Sequence, residues 1–175
     1  MRVMRGWGVP EESAWPYSAN HWPPAEPPDL DILAKKSRIL AYQRVRNSME
    51  CKMAVAAHHP VCAAFEITYQ WFSADKGKIE MPPPNAKIIG AHAVWIEGYD
   101  DNSGLFTFRN SWGVQWGDLG FGYLPYPFFD TYFSEAWIIN AAYEGQRRAS
   151  DEPRVMEIEW GIEDIPGGAA RSRTL

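Results

Sequence analysis

The stretch Gly90-Ala91-His92-Ala93-Val94-Trp95-Ile96-Glu97-Gly98-Tyr99 runs into Asp100-Asp101-Asn102-Ser103-Gly104. Leu105-Phe106-Thr107-Phe108-Arg109-Asn110-Ser111-Trp112-Gly113 follows. Residues 91–99 read as a strand, since β-branched and aromatic side chains suit a pleated surface. Residues 100–104 are of the types that close turns, through side-chain oxygens or through freedom in φ. Residues 105–110 are the returning strand, so the two segments form an antiparallel hairpin. His92 opens one arm and Asn110 ends the other, and such ends are adjacent in a hairpin. An Asn amide at that place reaches an imidazole nitrogen and fixes its tautomer and ring plane. The second ring nitrogen then faces a partner on another element.

Working outward, Gly113, Gly117, Gly120 and Gly122 mark tight backbone, and residues 121–124 suit a short strand ended by Pro125. Upstream, residues 61–71 are rich in β-branched and aromatic side chains and read as strand, while three consecutive prolines make 81–85 a loop. Residues 38–45 read as a further strand. Ser48 is placed as an N-cap, with a helix over about 49–58 behind it. Residues 1–30 hold six prolines, which predicts an extended surface loop. From about 141 onward the chain turns polar, then small and basic, and reads as a mobile or separately docked tail.

With 175 residues, 46% of them apolar, the chain can bury a proper core. A net charge of -5 argues against nucleic acid, which selects clustered Lys and Arg. No apolar run approaches the length that spans a membrane, and residues 1–10 hold no signal-type apolar core. The compartment is therefore unknown, with cytoplasmic the default. Cys51 and Cys62 make no disulfide framework. His21, His58, His59 and His92 lack metal-ligand spacing, so neither metal nor cofactor is expected.

Three ordered phrases carry a resemblance: 90–94 with Gly98-Tyr99-Asp100, Arg109-Asn110-Ser111-Trp112-Gly113, and Trp116-Gly117-Asp118 with Gly120-Phe121-Gly122-Tyr123-Leu124-Pro125. In order and spacing they resemble the His and Asn region of papain-like cysteine peptidases. Gly8-Val9-Pro10-Glu11-Glu12 and Trp15-Pro16-Tyr17 look like the segment such enzymes place after their nucleophile helix. Residues 60–65 resemble the strand before the His strand. The resemblance covers roughly residues 6–140 and implies an α+β papain-like fold. It predicts mainly the β-barrel-like right-hand half (34–140), with a loop-rich remnant of the helical half (1–33) and the tail (141–175).

The resemblance also implies roles. His92 would be general base and acid, and Asn110 would orient it, in the Cys-His-Asn arrangement named for papain-like proteases among triad variants. Trp112 would shield the pair from water and Trp116 would line the leaving-group side. Ala64 and Ala93 would border a roomy apolar specificity pocket. The implied partner is a peptide or protein substrate.

The family's nucleophile should lie about 130 residues or more before the His, and only 91 residues precede His92. The chain is therefore expected to be truncated at its N-terminal side. The Cys would come from an upstream segment or a separate chain, and this chain alone would be inactive. Cys62 lies 30 residues before His92, in a strand-like run that offers no helix N-terminus to lower a thiol pKa, and is read as structural. Cys51 is read as a packing residue. Two further readings stay open: a non-catalytic binding or regulatory relic of the family, and an aromatic platform for sugars or proline-rich peptides.

Overall fold

The computed structural model describes residues 1–17 and 25–141; His21 and nearly all of the predicted tail lie outside the described residues. The core is a six-stranded antiparallel sheet: β1 (Ile39–Val45), β2 (Val61–Ile67), β3 (Gly90–Asp100), β4 (Leu105–Arg109), β5 (Phe121–Pro125) and β6 (Phe133–Ala141), in the order β1-β6-β2-β3-β4-β5. Among the described residues four α-helices accompany it: α1 (Arg2–Gly6), α2 (Leu30–Ala34), α3 (Ser48–Ala56) and α4 (Tyr126–Tyr132). The chain is thus α+β.

Alternation along the central strands explains the layering. Val61, Ala63, Phe65 and Ile67 point one way from β2 and are buried, while Cys62 and Ala64 point the other way and are half-buried. The buried face packs with Phe106, Phe108 and Leu124 from the neighbouring strands and with Phe128 and Phe129 of α4. Phe65 meets Phe128 and Phe129 edge-on, at 6.0 and 5.4 Å between ring centroids. Large rings in such contacts account for much of the stabilisation of so small a core.

The predicted hairpin is β3 and β4. Its turn is closed by Asp100, whose carboxylate accepts from the Asn102 backbone at 3.0 Å and from the Ser103 hydroxyl at 2.7 Å. The Ser103 hydrogen bond, with the backbone ones, holds the Asp100 carboxyl below the usual range. Asp101 anchors the turn to the rest of the fold. It pairs with Lys52 of α3 and accepts from the Tyr126 hydroxyl of α4 at 2.9 Å.

Several expectations are corrected. The N-cap of α3 is Asn47, not Ser48: its Oδ1 accepts from the Glu50 backbone at 2.8 Å. Ser48 is used otherwise, donating its N–H and hydroxyl to the Asp130 carboxylate at 2.7 and 2.6 Å, which ties α3 to α4. The strand expected over 61–71 stops at Ile67, and Tyr69–Trp71 form a 3-10 turn that tucks Trp71 into the core. The proline-rich zone expected to be loop contains α1 and the start of α2, because its prolines leave 2–6 and 30–34 free. Helix α4 and strand β6 were not foreseen. Pro127 sits in the first turn of α4, where its missing N–H costs nothing. Strand β6 returns between β1 and β2 as a central strand, a long-range pairing that no local pattern encodes. Among the described residues no helix is long and apolar enough to cross a membrane.

Candidate active site

His92 lies on β3 directly opposite Phe65 of β2, so its side chain shares the face that carries Val94 and Ile96. Asn110 follows Arg109, whose partner on β3 is Trp95. One step beyond that pair, Asn110 falls beside Val94, on the His92 face and one diagonal from it. A register shift between Ile96 and Gly98 is what sets this phase. Without the extra residue, Glu97, Asn110 would fall beside Trp95 and face the opposite side.

The two side chains meet. His92 Nε2–H donates to Asn110 Oδ1 at 2.7 Å, and the Ser111 backbone N–H donates to the same oxygen at 2.8 Å. An amide nitrogen in that place would face the Ser111 donor, so the Asn110 orientation is set by its neighbour. The accepting oxygen in turn requires the proton on Nε2. That leaves the Nδ1 lone pair of His92 as the free basic site. The Asn110 amide nitrogen is buried and finds no hydrogen-bond partner among the described residues.

Rings enclose the imidazole. Trp112 stacks on His92 at 4.5 Å with 30° between planes, and Trp71 meets it edge-on at 6.0 Å. Trp116 braces Trp112 perpendicularly at 5.5 Å, and its indole N–H donates to the Trp71 carbonyl at 3.0 Å. The loop carrying both tryptophans is closed by Asn110 N–H to the Gly120 carbonyl at 2.9 Å. Gly117 is required there: φ is +61°, and a Cβ would stand 2.4 Å from the Phe121 carbonyl oxygen. Trp112 and Trp116 are both half-buried.

Ala64 and Ala93 face each other across β2 and β3, on the side of the sheet away from His92. Ala93 lines a cavity of about 290 Å³ with Cys62, Val94, Trp95, Arg109, Asn110 and Ser111. Ala64 is absent from that lining, so the cavity lies toward β4 rather than centred between the two alanines.

Neither thiol is placed to act on His92. Cys62 is opposite Trp95, three residues along β3 and on the other face. Burial, then the Glu135 carboxylate, pushes its pKa up, against a smaller lowering by the N-terminal ammonium. Cys51 is fully buried in α3, and burial, with Asp130 nearby, pushes its thiol far up. Both thiols are kept protonated, the reverse of what a nucleophile needs.

Of the residues singled out in the sequence, the structure brings His92, Asn110, Trp112 and Trp116 together. The expected strand over 61–71 takes in Trp71, which instead lies in the 3-10 turn beside His92, and its exposed neighbour Phe72 was not singled out. The usable signal was Thr68 before three aromatic or amide residues, a strand end rather than a strand.

A sheet with a His–Asn pair under tryptophans defines a class before any comparison: a papain-type fold around a paired imidazole. The sequence pattern of the papain family cysteine proteases matches residues 2–126, and the chain belongs to that family. It is 26% identical over 153 residues to an uncharacterized peptidase C1-like protein of Acanthamoeba polyphaga mimivirus, covering 79% of this chain and 49% of that one. It is 30% identical to a probable cysteine protease of Arabidopsis thaliana, covering 68% of this chain and 33% of the plant protein. Among solved structures, xylellain, a cysteine protease from Xylella fastidiosa, superposes with a TM-score of 0.70 at 26% identity, over 79% of this chain and 59% of xylellain. The chain therefore spans about half or less of the length of these curated relatives. Family membership supports a peptidase-like function.

Proposed function

We propose that this chain supplies the His and Asn of a Cys-His-Asn peptidase site, and that the nucleophilic Cys is carried by a segment outside these 175 residues. The observation that carries the reading is the His92–Asn110 hydrogen bond, which holds the proton on Nε2 and leaves Nδ1 free. A thiol brought against Nδ1 would lose its proton to it, giving a thiolate–imidazolium pair. The thiolate adds to the scissile carbonyl. The imidazolium then protonates the departing amine as the C–N bond breaks, leaving a thioester. Water, deprotonated by the same imidazole, cleaves the thioester and returns the thiol. Asn110 keeps the ring in plane through both halves of the cycle, and Trp112 and Trp116 exclude water from its hydrogen bond.

A cavity beside Asn110 supports a docking role. It is lined from both faces of the sheet, by Val94 and Asn110 as well as Ala93, Cys62 and Trp95, and there the missing segment would complete the cleft. The buried Asn110 amide N–H, unpartnered among the described residues, would there meet a carbonyl. Ala64 and Ala93, both small, would border an apolar specificity pocket on the acyl side. Residues 34–140 are the half that bears the site, with 1–33 belonging to the opposite half.

The test is the intact mass of the protein from its source, together with labelling by a thiol-reactive epoxide. A mass well above 19.9 kDa, with label on a Cys other than Cys51 and Cys62, supports the reading. A mass of 19.9 kDa with no label overturns it in favour of a non-catalytic relic that binds rather than cleaves.

A further inference from the structure

The ring stack on His92 does not end at Trp112. Phe72 lies on the Trp112 ring at 5.0 Å with 9° between planes, and it is 57% exposed. Tyr69 follows at 6.5 Å from Phe72 and 51°, 70% exposed. The short 3-10 turn and its C-cap Phe72 thus bury a single ring, Trp71, and present Tyr69 and Phe72 to solvent, continuing outward from the Trp112 ring that covers the imidazole. Core packing does not account for these two. The turn is held in place by the Trp116 N–H on the Trp71 carbonyl, so the exposed rings are pre-positioned rather than carried on a free loop. Val114, two residues beyond Trp112, is 64% exposed and extends the apolar surface of the same loop.

We propose that Trp112, Phe72 and Tyr69 form a platform that selects an aromatic side chain on the leaving-group side of the scissile bond. The proposal rests on the peptidase reading above and adds its specificity. The side follows from the proposed function, which puts the acyl side at Ala64 and Ala93. Ala64 and Ala93 project from the face opposite to His92, whereas the platform is continuous with His92 itself. A peptide crossing the imidazole with its acyl portion toward the alanines would carry its amine portion over the rings. The side-chain class follows from the ring geometry. Two exposed rings at 51° offer a face and an edge together, a pairing that favours an aromatic partner beyond the area it buries.

The experiment needs no nucleophile, so its outcome is separate from that of the labelling test. Phenylalanyl-alaninamide and alanyl-alaninamide, mimics of the released amine half, are titrated into the full 175-residue chain and followed by NMR at the Trp112 indole N–H. The phenylalanyl compound should bind about fivefold more tightly, shifting Trp112, Phe72 and Tyr69 together. Phe72→Ala should erase that preference and leave alanyl-alaninamide binding unchanged, and Tyr69→Ala, at a highly exposed position, should reduce it about twofold. Equal affinities of the two compounds for the wild-type chain overturn the proposal, as do shifts confined to residues away from the three rings. The wild-type comparison decides even where Phe72→Ala fails to fold.

Discussion

Ser111 decides the tautomer of His92 without touching it: its backbone N–H occupies Oδ1 of Asn110 at 2.8 Å, and only an oxygen there accepts the imidazole Nε2–H at 2.7 Å. The free nitrogen of the ring is therefore specified by a main-chain group one residue beyond the Asn.

This can be read in the isolated chain. The nitrogen shifts of His92 should report a single Nε2–H tautomer near pH 8. Asn110→Ala should give a mixture, because the competing tautomer loses its penalty. In a form of the protein that carries the proposed nucleophile, the same substitution should lower kcat by about 10- to 100-fold with a smaller change in KM, since the proposed acid–base loses its positioning rather than the group itself.

Stability should fall with alkaline pH. The Cys51 thiol is raised from its ordinary 9.0 by burial, and the Tyr126 hydroxyl from its ordinary 10.0, first by burial and then by its bond to Asp101. A group raised in the folded state is still protonated when the unfolded chain has begun to lose its proton. Its contribution is whole below the unfolded pKa and is lost above it. Urea midpoints should hold steady below about pH 8.5 and decline above pH 9. Cys51→Ala should lower the plateau but flatten the first part of that decline.

Gly122 should not tolerate a side chain. A Cβ there would stand 2.2 Å from the Phe108 ring, which is wholly buried against Trp71 and Trp116 and has nowhere to move. Gly122→Ala should cost about 2–3 kcal/mol in urea unfolding, the upper end for overpacking. A loss below 0.5 kcal/mol (order of magnitude,) would mean that the ring can shift.

The cap of α3 offers a paired test. Asn47→Ala removes the acceptor of the Glu50 N–H and should cost about 1 kcal/mol. Ser48→Ala removes only the hydroxyl bond to Asp130 and keeps the backbone one. It should cost less than Asn47→Ala if Asn47 is the cap. The reverse order would restore Ser48 to that role.

The hairpin, its turn and the residues of the site were legible because each is a local signal: alternation, turn chemistry, and glycines where Cβ atoms do not fit. Residues 126–141 were not legible. Their aromatic run suits helix and strand alike, and what divides them at Phe133 is the pairing of β6 between β1 and β2. Tyr69–Trp71 fall outside the strand expected over 61–71 for a related reason. A strand pattern shows which residues favour a sheet, not where the neighbouring strand ends.

The amino-acid sequence alone determined the family resemblance, because the ordered phrases around His92, Asn110, Trp112 and Trp116 are local signals. Tertiary structure decided that they meet. Asn110 shares a face with His92 because β3 takes one extra residue at Glu97, and side chains alternate with a period of two. A change of one residue in register reverses every face, and no count along the chain predicts where a strand will absorb it.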